Sequence, residues 1–120
     1  MPELQMGAVE LKFADIIWQH EPLSSSQLAK YSEEKLQWKK TTSYTVLKRL
    51  CDKGIFQNQK GTVTSLISRE DFYSLQSHQF VKETFGGSLP AFLAAFTSCN
   101  DLTQEEVNSI RKMIADYEEE

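Results

Sequence analysis

The most informative part of the sequence is residues 38–68, which read WKKTTSYTVLKRLCDKGIFQNQKGTVTSLIS. The first half has helical spacing and ends at Lys53-Gly54, a cation in the last turn followed by glycine at the C-cap position. The second half holds two strand-like runs, Ile55 to Gln59 and Thr62 to Ser68, joined at Lys60-Gly61. This stretch predicts a helix from about Thr41 to Lys53, followed by a β-hairpin.

Two more helices are predicted before this stretch. The first extends from about Ala8 to Gln19, and Pro22 follows at a point where the helix has already ended. Ser24 and Gln27 have the spacing of a capping box, which opens a second helix through about Lys35. Three helices followed by a two-stranded hairpin is the order of a winged helix. The sequence therefore predicts a mainly α fold with a small β-hairpin, a winged helix-turn-helix.

Three further helices are predicted after the hairpin. Ser68 caps the first, which extends to Gly86-Gly87, Ser88 begins a short one, and Thr103 with Glu106 forms a second capping box. Their apolar stripes carry more surface than one short tail can cover, which predicts a winged-helix domain at 1–68 and a helical dimerisation domain at 69–120. The expected dimer interface is Phe80, Phe85, Leu89, Phe92, Leu93, Phe96, Val107, Ile110, Ile114 and Tyr117. Packing of these stripes within one monomer is the alternative.

The charge of the chain is unevenly distributed. The formal net charge is -4, from 13 Lys and Arg against 17 Asp and Glu. Between residues 35 and 53, however, Asp52 is the only acidic residue and it stands against Lys35, Lys39, Lys40, Lys48, Arg49 and Lys53. A local basic stretch in an acidic protein can bind a polyanion. On charge alone, an ordinary solvated helix face explains the stretch equally well.

A helical wheel of the third helix predicts two faces. At about 100° per residue, the core side is expected to hold Tyr44, Leu47, Leu50 and Cys51, and the outer side Thr42, Thr45, Val46, Arg49 and Lys53. Short hydroxyls, a long cation and a methyl-bearing side chain suit a helix that enters the major groove. Arg49 would contact guanine or a phosphate, and Val46 a thymine methyl group. The predicted DNA-binding residues are Lys39, Lys40, Thr41, Thr42, Ser43, Thr45, Val46, Lys48, Arg49, Lys53, Lys60 and Thr62.

Several blocks of the chain resemble the penicillinase-repressor family (BlaI, MecI and CopY). The resemblance to the recognition-helix block rests on Trp38, Thr42, Thr45, Leu47, Arg49-Leu50 and Lys53-Gly54. Three other blocks match in order and spacing, namely Ile16-Ile17-Trp18, Ser68 to Phe72, and Phe85 to Leu89. The resemblance extends from about Met6 to Tyr117. It implies a homodimeric transcriptional repressor that binds double-stranded inverted-repeat operators, commonly with TACA/TGTA-type half-sites.

The resemblance also implies two ways of releasing DNA, and this chain departs from both. In the penicillinase and methicillin-resistance repressors, a sensor-linked protease cuts an Asn-Phe bond, and Ala95-Phe96 stands at that position in this sequence. The copper-responsive members bind metal through C-terminal Cys-x-Cys motifs, whereas this chain ends with Asp116 to Glu120. A sensor protease is therefore a partner by resemblance alone.

Other classes of function lack the residues that they need. Cys51 and Cys99 do not form a CxxC pair, and His20 and His78 lie in separate segments without a cluster of ligands. No nucleophile, base and acid are assembled, and there is no phosphate-binding loop, so we expect no enzyme, no metal and no cofactor. With no apolar run of membrane-spanning length and no secretory signal, a cytoplasmic protein without a membrane partner is expected.

Two functions remain after these exclusions. The favoured one is a sequence-specific DNA-binding repressor with the third helix in the major groove. The alternative is a winged-helix protein-interaction module without specific DNA binding. An interaction module would tend to lose Arg49 and gain apolar residues on the outer side of the third helix, and Lys48, Arg49 and Lys53 are all present.

Overall fold

The computed structural model of the protein describes residues 4–119, so that residues 1–3 and 120, the outermost positions of the two predicted domains, lie outside the described residues. The helices are α1 (Ala8–His20), α2 (Ser25–Leu36), α3 (Lys40–Asp52), α4 (Arg69–Phe85), α5 (Leu89–Cys99) and α6 (Gln104–Glu118). The strands are β1 (Leu23–Ser24), β2 (Phe56–Gln59) and β3 (Thr62–Ser65). The predicted mainly α fold with a small β-hairpin is confirmed.

Local hydrogen bonds set the helix ends where the sequence predicted them. The Ser24 hydroxyl accepts from the Gln27 backbone N–H at 3.0 Å, and the Gln27 side chain accepts from the Ser24 N–H at 3.0 Å. Thr103 and Glu106 make the same reciprocal pair at the start of α6. At this cap, the backbone N–H of Thr103 lowers the pKa of the Glu106 carboxyl, and the Thr103 hydroxyl lowers it to a smaller extent. These caps satisfy backbone donors that a helix leaves free at its first turn.

The sheet has three antiparallel strands in the order β1-β3-β2. The β2–β3 hairpin turns at Lys60 (φ 52°) and Gly61 (φ 88°), and two successive positive φ angles are typical of a type I′ turn. On its other edge, β3 pairs with β1 through Leu23 opposite Val63. The strand β1 is not predicted from the sequence, because two residues are too few to show an alternating pattern.

The hydrophobic core lies among α1, α2, α3, the sheet and the start of α4. Phe13, Phe56 and Phe72 are its largest fully buried side chains. Trp18 packs beside Phe56 and Phe72 with ring centroids 5.2 and 5.5 Å away, and its indole N–H donates to the Ile67 carbonyl at 3.0 Å. Aromatic burial of this kind is a large part of the stability of a small unit.

Packing divides the chain into two compact units, the first ending at His78 and the second beginning at Gln79. Within the second unit, Phe85 and Phe92 pack edge to face at 5.6 Å, and Phe80 is 5.9 and 6.1 Å from them. No residue of Leu89–Cys99 or Gln104–Glu118 is buried. The second unit therefore leaves most of its apolar side chains at its surface. Among the described residues, no helix has the length and apolar character needed to cross a membrane.

Replacement of Leu50 by alanine tests the core. Leu50 is fully buried, so Leu50→Ala is expected to lower the free energy of unfolding by about 2–5 kcal/mol through lost burial and a cavity. Leu66 is 54% exposed, and Leu66→Ala is expected to change it by less than about 0.5 kcal/mol. Urea unfolding of both variants measures the difference. Equal losses would contradict this description of the core.

Candidate nucleic-acid interface

One side of α3 is buried, and it differs from the predicted side. Ser43 is 1% exposed, Val46 7%, Leu47 3% and Leu50 0%, which is the i, i+3, i+4, i+7 spacing of a helix face. The prediction that Val46 lies on the outer side of α3 is wrong, because its side chain packs in the core, and the burial of Ser43 and Val46 speaks against a contact of either side chain with a base or phosphate. Ser43 is small enough to pack in the core, although the helical wheel was read on the assumption that core residues are apolar.

The opposite side of α3 is polar and exposed. Tyr44, which the wheel placed in the core, is instead 41% exposed. It joins the exposed residues Thr41, Thr42, Thr45 and Lys48, and we call these five residues the outer face of α3. Tyr44 is thus a candidate contact that the sequence analysis missed. The exposure of Tyr44 could have been predicted if Ser43 had been counted as a core residue, because Ser43, Val46, Leu47 and Leu50 then form a complete buried stripe.

The outer face combines different hydrogen-bonding groups. The Thr45 hydroxyl donates to the Thr41 carbonyl at 2.8 Å, which leaves its lone pairs as acceptors for an outside donor. Lys48 is exposed and has no ion pair among residues 4–119. A free cation between hydroxyl groups suits contact with both bases and phosphates.

The two basic residues at the C-terminal end of α3 are paired within the chain. Glu10 of α1 accepts from Arg49 Nη1 at 3.1 Å and lies 3.4 Å from Lys53 Nζ. Lys53 Nζ also donates to the Gln5 carbonyl at 2.7 Å. The side chain of Arg49 is 52% exposed and that of Lys53 only 14%. Lys53 is therefore not on the outer side, contrary to the prediction, since it packs against the N-terminal segment.

The N-terminal end of α3 carries two exposed cations. Lys39 is the N-cap residue and Lys40 begins the helix, and both side chains are exposed. The preceding Trp38 stacks on Phe13 at 5.2 Å between ring centroids, which fixes the entry of the chain into α3. The free N–H groups of the first turn and the two lysines give this end a positive potential. It can hold an anionic group such as a phosphate.

The hairpin brings the two remaining predicted contacts to the surface. Lys60 lies in the turn and Thr62 begins β3, and both are exposed. Asn58 stabilises the turn, because its side-chain oxygen accepts from the Gly61 N–H at 3.0 Å. The hairpin thus forms a wing with a basic residue at its turn.

Cys51 does not have the features of a reactive thiol. Burial raises the pKa of the Cys51 thiol, and the neighbouring Asp52 raises it further, which keeps the thiol protonated. Within the part of the chain that the structure describes, no three His, Cys, Asp or Glu residues are placed to hold a metal ion.

The sequence matches the model of the penicillinase repressor family over residues 6–116. The chain belongs to this family. A penicillinase repressor of Bacillus licheniformis is 26% identical over 117 residues, covering 94% of this chain and 91% of that protein. The methicillin resistance regulatory protein MecI of Staphylococcus aureus (strain Mu50 / ATCC 700699) is 23% identical over 114 residues, covering 92% and 93%.

The comparison of structures agrees with this family assignment. The solution structure of the DNA-binding domain of the repressor BlaI is similar, with a TM-score of 0.54 and 26% identity. It covers 59% of this chain and 93% of that domain. The present chain is thus a DNA-binding repressor with a winged helix. Its resemblance to the penicillinase-repressor family, seen in the sequence, is confirmed. The expectation that it is not an enzyme is confirmed by the repressors to which it is related.

Val46 and Lys48 provide a test of the corrected face. Val46→Ala is expected to lower the free energy of unfolding by about 1–3 kcal/mol, because it removes buried methyl groups, and to leave the DNA affinity of the folded protein unchanged. Lys48→Ala is expected to do the reverse, with stability unchanged within about 0.5 kcal/mol and weaker binding to duplex DNA.

Urea unfolding and titration of a labelled duplex measure both quantities for each variant. If folded Val46→Ala protein lost more DNA affinity than Lys48→Ala protein, the assignment of the two sides of α3 would be refuted.

Proposed function

We propose that the chain represses transcription as a homodimer bound to an inverted-repeat operator, with α3 of each protomer in a major groove. The observation that carries this proposal is the outer face of α3, which stands opposite the buried Ser43, Val46, Leu47 and Leu50. The similarity of the chain to the DNA-binding domain of the repressor BlaI supports the proposal further.

The outer face has the groups that direct contact with base edges requires. Thr41 and Thr45 offer hydroxyl groups, and Lys48 can donate to guanine O6 and N7. Tyr44, on the flank of the face, adds a ring that can contact a thymine methyl and a hydroxyl that can reach a phosphate. In this arrangement Tyr44 takes the apolar role that the sequence analysis gave to Val46.

Contacts with the DNA backbone would orient α3 in the groove. Lys39 and Lys40 would lie beside a phosphate at the start of the helix, together with free backbone N–H groups. Lys60 and Thr62 of the wing would approach the neighbouring backbone. These contacts give affinity and register, and the outer face gives sequence preference.

A second copy of the chain would supply a second α3, which binds the other half-site of the operator. One module makes few contacts, whereas two linked modules bind with a high effective concentration for the second half-site. In the second unit, Phe80 is 49% exposed, Leu89 57%, Phe96 44%, Ile114 55% and Tyr117 79%. Each square ångström of apolar surface that dimerisation buries contributes about 25 cal/mol before the entropy of association is subtracted.

On this proposal, residues 1–68 bind DNA and residues 69–120 dimerise. The compact unit that contains α3 extends past residue 68 to His78, because Phe72 of α4 belongs to its core, so the start of α4 packs with the DNA-binding part. The predicted interface residues Phe85, Phe92 and Leu93 are partly buried, as are Val107 and Ile110. The exposed members of the set are those available to a second copy.

Proteolytic release of DNA is not part of this proposal. The family's Asn-Phe bond aligns with Ala95-Phe96 in α5, where alanine replaces the asparagine. A sensor protease therefore remains a partner implied by the family alone.

One observation favours the alternative of a protein-interaction module. Of the three cations that supported DNA binding, Arg49 and Lys53 are paired with Glu10. Lys48, Lys39 and Lys40 nevertheless remain exposed, and the relatives are repressors and regulatory proteins. DNA binding is the better-supported function.

Selection from a pool of random duplexes at about physiological salt tests the proposal. Recovery of an inverted repeat, with two protomers bound to each duplex, is expected. Recovery of no motif, with weak binding that disappears as salt rises, would contradict sequence-specific repression and point to the protein-interaction module.

Ile114 and Asn108 provide a matched test of the dimer. Ile114→Asp is expected to raise the Kd of the dimer about tenfold or more, because it would bury a carboxylate in an apolar contact. Asn108→Asp puts the same group on the polar side of α6, where Asn108 accepts from the Gln104 side chain at 3.0 Å, and should leave the Kd unchanged. Sedimentation at micromolar concentration measures the dimer. A parent protein that sediments as a monomer would refute this interface.

A further inference from the structure

Glu10 lies in the first turn of α1 and faces the C-terminal half of α3. Its two carboxylate oxygens are shared between two cations, with Oε1 3.1 Å from Arg49 Nη1 and Oε2 3.4 Å from Lys53 Nζ. The Glu10 side chain is 21% exposed, so solvent screens these contacts less than it screens a fully exposed pair. One carboxylate therefore offsets part of the charge of two basic residues.

The Glu10 contacts lie beside the outer face of α3. Arg49 follows Lys48 directly and is 52% exposed, so its guanidinium borders the surface that meets DNA in the proposed function. Lys53 is held further by the Gln5 carbonyl at 2.7 Å. A cation that is already paired with a carboxylate neutralises a DNA phosphate less well, so its contact releases fewer counterions and adds less affinity. The carboxylate itself also repels the phosphate.

We infer that Glu10 weakens the sequence-independent part of DNA binding by holding Arg49 away from the phosphate backbone. This inference rests on the proposed binding of DNA by α3. Phosphate contacts supply nearly all non-specific affinity, so each cation that is withheld lowers the affinity for DNA of every sequence. Glu10 makes no contact with Thr41 or Thr45, so the proposed base contacts of these two residues are not affected by it.

The opposite role, in which Glu10 positions Arg49 to read a base, fits the geometry less well. An Arg–carboxylate pair fixes the guanidinium plane best through two parallel hydrogen bonds. Glu10 instead makes one contact to Arg49 and directs its other oxygen towards Lys53. The arrangement divides one negative charge between two cations and leaves the guanidinium plane weakly fixed.

Replacement of Glu10 by glutamine tests this inference in the full chain. Glutamine keeps the shape of the side chain and can still accept from Lys53, so the fold is expected to be retained and a thermal melt checks it. Glu118→Gln is the matched control, because it makes the same change in net charge in the second unit. Glu118 has no ion pair among the residues that the structure describes.

Both variants and the parent are titrated with a duplex of scrambled sequence over a range of salt concentrations. Glu10→Gln is expected to bind this duplex about five- to tenfold more tightly near 0.1 M salt, with a salt slope steeper by about one. The control should behave as the parent does. In a protein that also carries Arg49→Gln, the gain from Glu10→Gln should fall by more than half on a logarithmic scale, since the cation to be released is missing.

An unchanged affinity of Glu10→Gln for the scrambled duplex would overturn the inference while leaving the proposed function intact. Weaker binding by this variant would also overturn it, and would indicate that Glu10 positions Arg49. If the parent bound no duplex of any sequence, the proposed function would fail first and this inference with it.

Discussion

The burial of one side of α3 is the constraint on which the rest of the account depends. Ser43, Val46, Leu47 and Leu50 pack into a core that leaves no space for a shifted helix, because protein interiors are close-packed. A rotation by one residue would turn the helix by about 100° and bring Tyr44 inside. The core therefore determines which side chains of α3 are exposed and can contact DNA. The position of the basic residues along α3 does not set the orientation of the helix.

Features set by neighbouring residues could be predicted from the sequence, and features set by distant residues could not. The caps at Ser24 and Thr103 and the turn at Lys60-Gly61 depend on a few adjacent groups, and all three were predicted. The pairing of Leu23 with Val63 requires the folded sheet. The outer face of α3 was predicted about one residue out of register, because the core accepts a small serine and excludes a tyrosine. The Glu10 contacts appear only once α1 lies beside α3.

The two units have opposite surface chemistry, which suits two different partners. The first unit encloses a core of apolar side chains and presents hydroxyl groups and lysines on α3 and the wing. The second buries none of the side chains of α5 and α6, and presents phenylalanine, leucine, isoleucine and tyrosine. With a net charge of -4, the chain as a whole does not attract DNA, so attraction must come from the local field around α3. Within that field, Glu10 determines whether Arg49 is free to meet a phosphate.

A crystal structure of the protein bound to a duplex recovered by selection tests the central claim most directly. We expect two protomers on one duplex, with α3 of each in a major groove, Thr41, Thr45 and Lys48 towards the bases, and Val46 still in the core. We also expect Glu10 to remain in contact with Arg49 and Lys53 in the complex. A complex in which α3 lies outside the groove, or in which the DNA meets the second unit, would contradict the central claim.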